Sequence, residues 1–286
     1  MKLLYFFLLL FLPFIGKAQP GTEIYLLDMI VKNKQIELSH PVNITNHKGY
    51  DNQPCFFDGK PLIFYTSGDS GKTDIKTYNY ETGVTNNFTS TLANEYSPTV
   101  TPDKKYISCI IGAKQDLGKY PLEGGAPIIL INHLKVGYHV WIDNDRLLLF
   151  VLDDSANNSL HYYNLTTKED QIIAKNPGRS LHKIPDEDAI SFVEKSATKE
   201  WMIKKLNYKT MSVSTIVKTI QGQEYLAWTK QGSIMMSDGL KLFYYEPAIS
   251  NDWKAVILHD TVPAMKGMTR IAMNAVNNKI AIVVSE

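Results

Sequence analysis

The stretch from Thr66 to Thr73 has the residue spacing that comes nearest to a catalytic or ligand-binding motif. It reads Thr-Ser-Gly-Asp-Ser-Gly-Lys-Thr, which is one glycine short of a phosphate-binding loop because Thr66 stands at the first glycine position. Such a loop holds phosphate with backbone N–H groups that open a helix, whereas this stretch is expected to join two strands. Gly68-Asp69-Ser70-Gly71 also has the residue types found around a serine nucleophile, but no segment offers a partnering histidine. Both motifs are therefore interpreted as a solvated loop.

The possible metal ligands of the sequence also lack the spacing of a known metal site. No two histidines stand four apart on a predicted helix, as a zinc site of that type requires. The acids Asp153 and Asp154 precede Asn157 and Asn158 in one loop, yet the alternating oxygen pattern of a calcium loop is missing. We predict no metal site, no cofactor and no catalytic set. The seven histidines are His40, His47, His133, His139, His161, His182 and His259.

Charge and composition exclude further classes of protein. The 286 residues include 30 Lys and Arg and 29 Asp and Glu, and 44% of the chain is hydrophobic. A near-neutral chain is a poor partner for nucleic acid, and this hydrophobic fraction predicts a folded protein. The two cysteines are too few for a disulfide-built scaffold. Because Cys55 and Cys109 each lie in an apolar strand-like run, we expect buried thiols, with a disulfide between them as the lesser alternative.

The first 18 residues are typical of a secretory signal peptide. Lys2 precedes an apolar run from Leu3 to Ile15, and small residues flank Lys17 before the predicted cleavage ahead of Gln19. The run is shorter than the roughly 20 residues that a membrane span needs. We therefore expect an exported protein, periplasmic or secreted, without stable membrane insertion after signal cleavage.

A turn followed by a short β-rich run recurs through the rest of the sequence. Successive turns are separated by 41 to 47 residues, and this period is the signature of propeller blades. Each unit continues with a second hairpin, so four strands per unit are expected. The six turns begin at Asp58, Asp103, Asn144, Asp186, Lys230 and Asn277.

The two ends of the chain complete the count of units. The C-terminal segment, 269–284, supplies one hairpin, and 24–38 near the N-terminus supplies what reads as the second hairpin of a unit. Pairing of these strands in one blade would satisfy edges that an open array exposes. The prediction is a single all-β domain over 19–286, a six-bladed β-propeller of four-stranded blades closed by strands from both termini.

Two of these units resemble a known propeller repeat. Pro54-Cys55-Phe56-Phe57-Asp58-Gly59-Lys60 and Ser97-Pro98-Thr99-Val100-Thr101-Pro102-Asp103 are similar to the Pro-Asp type, WD-like repeat of TolB-like periplasmic proteins. The other units are degenerate, with Trp141, His182, Trp228 and Ile271 near the proline position. The resemblance covers the propeller part of that family only, because about four residues separate the predicted cleavage site from the first strand.

The phase of the repeat places a set of aromatic and charged residues at one end of the propeller. Segments that lead into the innermost strands should gather around the mouth of the central channel. Aromatic rings there would supply contact area and charges would orient a ligand, although the same residues could simply fill gaps between blades. The candidate binding residues are Tyr50, Asn52, Glu95, Tyr96, Tyr138, His139, Arg179, His182, Glu224, Tyr225 and Arg270.

These patterns favour a noncatalytic scaffold that binds a protein segment or a small ligand at the channel mouth. The alternative is an enzyme at the same channel, a hydrolase or lyase acting on a carbohydrate, lactone or peptide. In that case His139, His182, Arg179 and Glu95 or Glu224 would serve as acid, base and anion-binding groups. A purely structural spacer in a larger assembly is a third hypothesis.

Overall fold

Twenty-five strands build the protein in the computed structural model, which describes residues 21–32, 35–69, 71–153, 157–260 and 265–286. We number all strands along the chain. Blade 1 holds β3 (Tyr50–Phe56), β4 (Leu62–Asp69), β5 (Lys72–Asn79) and β6 (Val84–Asn87). Blade 2 holds β7 (Glu95–Val100), β8 (Tyr106–Ile111), β9 (Asp116–Pro121) and β10 (Ile128–Ile131).

The next three blades repeat the same antiparallel order from the innermost strand outward. Blade 3 holds β11 (Val136–Trp141), β12 (Arg146–Val151), β13 (Ser159–Asn164) and β14 (Asp170–Lys175). Blade 4 holds β15 (Pro177–Lys183), β16 (Ala189–Glu194), β17 (Met202–Asn207) and β18 (Ser212–Lys218). Blade 5 holds β19 (Leu226–Trp228), β20 (Ile234–Ser237), β21 (Leu242–Tyr245) and β22 (Lys254–Ala255).

Blade 6 is assembled from both ends of the described chain. Its strands run in the order β24 (Ile271–Met273), β25 (Lys279–Ser285), β1 (Thr22–Lys32) and β2 (Gln35–Asn43), with the short β23 (Ile257–Leu258) alongside β2. The closing pair is antiparallel, with Thr22 opposite Ser285 and Asp28 opposite Lys279. The inner strands contact one another in sequence, β3 to β7, β11, β15, β19, β24 and back to β3. The predicted six-bladed propeller, closed by strands from both termini, is confirmed.

Packing between blades supplies the core. The second strands are buried on both faces, as in β12, where Leu147, Leu148 and Leu149 are all fully buried. Leu147 and Leu149 pack toward blade 2, and Leu148 packs toward blade 4. Alternation along a strand therefore gives each blade two apolar faces, and stacking of the blades removes both from water. The outer strand β6 is exposed along its whole length.

Several sequence predictions concern single elements. The described residues contain no helix, and none of them forms a helical segment long and apolar enough to cross a membrane. Cys55 and Cys109 are both free thiols. The predicted signal peptide, residues 1–18, lies outside the described residues, as do Ser70 and Asp154 of the two loops considered above.

Candidate functional site

One backbone hydrogen bond at the first hairpin of each blade sets a common register for the inner strands. The donors are Phe57, Thr101, Ile142, Ile184, Thr229 and Asn274. Counting four residues back from each donor gives an upper ring, composed of Gln53, Ser97, Tyr138, Ser180, Tyr225 and Arg270. Counting two residues back gives a lower ring, composed of Cys55, Thr99, Val140, His182, Ala227 and Ala272. Residues two apart on a strand share a face, so the two rings line one channel.

All twelve ring residues line a central cavity of about 580 Å³ that extends to the hairpin turns at Pro102 and Pro185. This volume is within the range of small-molecule sites. The lower ring is built mainly from small side chains, which leaves room around the axis. The upper ring carries the large polar side chains Tyr138, Tyr225 and Arg270.

Arg270 is the centre of the upper ring. Its Nη1 donates to Asn52 Oδ1 at 2.8 Å, and its Nη2 donates to the Tyr138 hydroxyl at 2.7 Å. The guanidinium carbon lies 4.5 Å from the centre of the Tyr225 ring and 5.3 Å from that of Tyr138. The two neighbouring blades, 1 and 5, and the opposite blade 3 thus hold a cation from blade 6 at the channel. Contacts of this kind over aromatic faces stabilise a cation more when water is excluded.

The neighbouring polar groups extend this arrangement toward the solvent. Arg179 Nη1 lies 3.5 Å from the Tyr225 hydroxyl, and its backbone N–H donates to Glu224 at 3.0 Å. Glu224 also pairs with Lys195 at 2.8 Å. Burial raises the pKa of Tyr50, and the nearby Arg270 opposes part of that rise. Tyr50 is therefore a neutral hydrogen-bonding group at physiological pH.

His182 is the one imidazole of the lower ring. Its Nε2 lies 2.9 Å from Ser180 Oγ, and Ser180 Oγ in turn donates to the Leu226 carbonyl and accepts from the Leu226 N–H. The Ser180 hydroxyl carries one proton, so the direction of the Ser180–His182 hydrogen bond follows from the tautomer of His182. Burial lowers the pKa of His182 to about 4, so the ring is neutral at pH 7.

His139 and Glu95 serve contacts between and within blades. His139 Nε2 lies 2.7 Å from Ser108 Oγ of blade 2, and burial lowers its pKa to about 3. Glu95 is completely buried and accepts hydrogen bonds from Thr89, Thr91 and Tyr120. Burial raises the pKa of Glu95. Neither side chain reaches the upper ring, since both are held by partners in blades 1 and 2.

The structure divides the eleven predicted residues into two groups. Five of them do not line the cavity, although Asn52 contacts Arg270 directly. Tyr96 packs against the hydrophobic cluster shared by blades 2 and 3. The residues that line the cavity are Tyr138, His139, Arg179, His182, Tyr225 and Arg270. Those that do not are Tyr50, Asn52, Glu95, Tyr96 and Glu224.

Sequence reasoning missed other residues of the cavity. Cys55, Ser180, Lys183, Trp141 and Trp228 all line it. Counting back from the hairpin donors in steps of two gives the ring members, but those donors are identified by the hydrogen bonds of the structure. Among the described residues, no group of three or more His, Cys, Asp or Glu side chains is placed to hold a metal ion.

A further hydrogen-bonded chain lies outside the cavity, on the outer half of blade 3. Ser159 Oγ is 2.8 Å from His161 Nε2, and His161 Nδ1 is 2.6 Å from Asp170. The order matches that of a hydrolytic Ser-His-Asp set. However, His161 is buried, and none of the three residues lines the central cavity. We interpret these hydrogen bonds as structural contacts that join β13 to β14.

Comparison with solved structures identifies the fold. TolB from Acinetobacter baumannii is 12% identical with a TM-score of 0.57, and the match covers 93% of this chain and 64% of TolB. A gluconolactonase from Xanthomonas campestris is 8% identical with a TM-score of 0.64, covering 95% and 99% of the two chains. An oligogalacturonate lyase in complex with manganese is 11% identical with a TM-score of 0.52, covering 94% and 98%.

At these identities the similarity establishes the fold alone, and it confirms the resemblance to TolB-like propellers. No family model matches the sequence, and no curated protein is similar to it in sequence.

Proposed function

We propose that this protein is a noncatalytic, exported β-propeller that binds a small ligand or a protein segment in its central cavity. The observation that carries the proposal is the cavity itself, to which all six blades contribute wall residues and whose upper ring presents Tyr138, Tyr225 and Arg270. Aromatic faces and a positioned cation are the groups that most often anchor a ligand in a protein site. TolB, a structural neighbour, supports this class of function by its fold.

Two tyrosine variants and one matched control test the proposal. The protein is purified under mild conditions from its native envelope after crosslinking, and bound molecules are identified by mass spectrometry. We expect Tyr225→Ala and Tyr138→Ala to weaken binding of the identified molecule about tenfold or more. Tyr106→Ala is the control, because this tyrosine also faces a cation, Lys119 at 4.1 Å, but lies outside the cavity. Equal binding by all three variants would contradict the proposal.

An enzyme acting in the same cavity is the second candidate. The observation that favours it is His182, a neutral imidazole 2.9 Å from the hydroxyl of Ser180. Two structural neighbours of this chain are enzymes, a gluconolactonase and an oligogalacturonate lyase. Glu95 lies outside the cavity and the ring of His139 is bonded to Ser108 of blade 2, so the candidate groups are His182 as base and Arg179 as anion-binding group.

A screen of lactones and oligosaccharides separates the two candidates. Turnover that is abolished by His182→Ala and retained by His133→Ala, a partly exposed histidine outside the cavity, would favour the enzyme. Binding of a crosslinked partner without turnover would favour the scaffold.

A further inference from the structure

The charge of Arg270 has no acidic counterpart. Among the described residues its partners are the amide of Asn52 and the rings of Tyr138 and Tyr225, all of them neutral. An arginine side chain stays protonated in proteins. The guanidinium therefore keeps its positive charge in a partly desolvated position.

Arg270 also keeps unused hydrogen-bond donors in a fixed geometry. A guanidinium has five N–H groups, and the bonds to Asn52 and Tyr138 use two of them. Asn52 is itself held, since its Nδ2 donates to Thr22 and its Oδ1 also accepts from the Gln53 N–H. The plane of the guanidinium is thus set by three blades before any ligand arrives. A preorganised donor loses little entropy when it binds.

The rest of the cavity wall adds positive charge and no negative charge. Arg179 and Lys183 both line it, and none of the described lining residues is Asp or Glu. Glu224, outside the cavity, lies within ion-pair distance of Arg179 at 3.8 Å and pairs more closely with Lys195 at 2.8 Å, so of the two arginines Arg270 is the one without an acidic partner among the described residues. In a cavity of low dielectric constant an uncompensated cation attracts an anion strongly. Below Arg270 the lower ring is uncharged, and half of its members, Val140, Ala227 and Ala272, are apolar.

We infer that the ligand of the central cavity carries a carboxylate, which pairs with the free N–H donors of Arg270 while an uncharged organic body occupies the lower ring. This inference rests on the proposed function. A carboxylate matches the planar donors of a guanidinium in shape and offers one negative charge for its one positive charge. Either a free organic acid or the carboxylate of a peptide would supply this chemistry.

Matched acids and amides test the inference by calorimetry with the full mature chain. The small pair is 4-hydroxyphenylacetate and its primary amide. The peptide pair is an N-acetylated Gly-Phe-Gly with a free or an amidated C-terminus. We expect at least one acid to bind about tenfold or more tightly than its amide, because a charged, desolvated hydrogen-bonded pair is lost in the amide. The pair that shows the preference identifies the source of the carboxylate.

Variants locate the effect at Arg270. Arg270→Gln should bring the affinity for the acid down to that of the amide, and Arg270→Lys should restore only part of it because lysine lacks the planar fork. Arg146→Gln is the control, since Arg146 pairs with Asp143 outside the cavity. Thermal unfolding of the free variants verifies that they fold.

Equal affinities for acid and amide, or no binding of either acid up to about 10 mM, would overturn the carboxylate inference. The proposed function would still hold if a crosslinked ligand responded to Tyr225→Ala. It would fail only if that ligand bound the tyrosine variants unchanged, so the two failures can be told apart.

Discussion

Asp51 shows how burial sets the chemistry of a single residue in this propeller. The side chain is completely buried on β3, and neither carboxylate oxygen has an aligned hydrogen-bond partner in the described structure. His47 Nε2 nevertheless lies 3.2 Å from Oδ2, within ion-pair distance. Burial raises the pKa of Asp51 to about 6, Ser67 and His47 act in the opposite direction, and Glu23 adds to the rise.

This raised pKa predicts a specific dependence of stability on pH. The folded protein holds the Asp51 proton more tightly than the unfolded chain, whose pKa is about 3.9. The resulting stabilisation is complete below pH about 4 and is lost as the pH rises through about 6. In Asp51→Asn this loss is absent. The free energy of unfolding of the parent should therefore fall relative to that of the variant as the pH rises. From pH 4 to pH 8 this relative change should be on the order of 3 kcal/mol.

Urea unfolding at a series of pH values measures this difference. Asp58→Asn serves as the control because Asp58 is an exposed carboxylate in the same blade. Parallel pH profiles for the parent and Asp51→Asn would contradict the prediction.

At the scale of elements, serine side chains join neighbouring blades. Ser108 on β8 accepts a hydrogen bond from the indole N–H of Trp141 on β11 at 2.9 Å, and Ser191 on β16 accepts one from Trp228 on β19 at 2.8 Å. Each pair links the second strand of one blade to the inner strand of the next. A buried indole N–H without such an acceptor would be costly, so the blades are held at a defined distance.

The strand β25 closes the ring by pairing with both β1 and β24. Ile282 lies in its centre, fully buried, opposite Tyr25 of β1 and Ile271 of β24. Ile282→Ala should lower the free energy of unfolding by about 2 to 5 kcal/mol, through lost apolar burial and the cavity left behind. Urea unfolding followed by tryptophan fluorescence measures the change.

The matched control is Ile172→Ala on the outer strand β14, where the side chain is 59% exposed. We expect this variant to stay within about 0.5 kcal/mol of the parent. Similar losses for both variants would mean that the closing strand carries no special share of the stability.

At the scale of the whole molecule, closure depends on strand pairing and not on the position of the chain ends. The backbone N–H of Glu286 donates to the Gly21 carbonyl at 3.1 Å, so the two ends of the described chain are adjacent. The ring of inner strands is continuous across this point, because β24 contacts β3. New ends in an exposed turn should therefore be tolerated.

A circular permutant tests this property. A short Gly-Ser linker joins Glu286 to Gly21, and the chain is opened between Ile249 and Ser250 in the turn from β21 to β22. We expect one cooperative urea transition and a free energy of unfolding within about 2 kcal/mol of the parent. A second permutant, opened between Ile190 and Ser191 inside the buried β16, should not fold. An unfolded first permutant would show that chain order contributes to closure.

The blade count and the closure were predictable because each blade is specified locally. A turn of Gly, Asp or Asn followed by a β-rich run encodes one hairpin, and its recurrence encodes the array.

The register inside each blade was less accessible. Pro54 and Pro98 stand three residues before the hairpin donor, and the equivalent positions are His139, Leu181, Leu226 and Ile271. Of the four positions that the sequence pattern had matched to this proline, only Ile271 is the equivalent one. In the other blades, bulges in the inner strands and a shorter turn after Ile142 shift the register away from the predicted position.

The sequence by itself determined the type and number of blades, because strand and turn preferences act over a few neighbouring residues. Only the tertiary structure decided which side chains meet at the axis. Arg270 bonds to Tyr138 across 132 residues of sequence and to Asn52 across 218. Those contacts arise from the closed ring, which places blade 1 next to blade 6 and brings the opposite blade 3 to the same axis, and no local preference encodes such a distance.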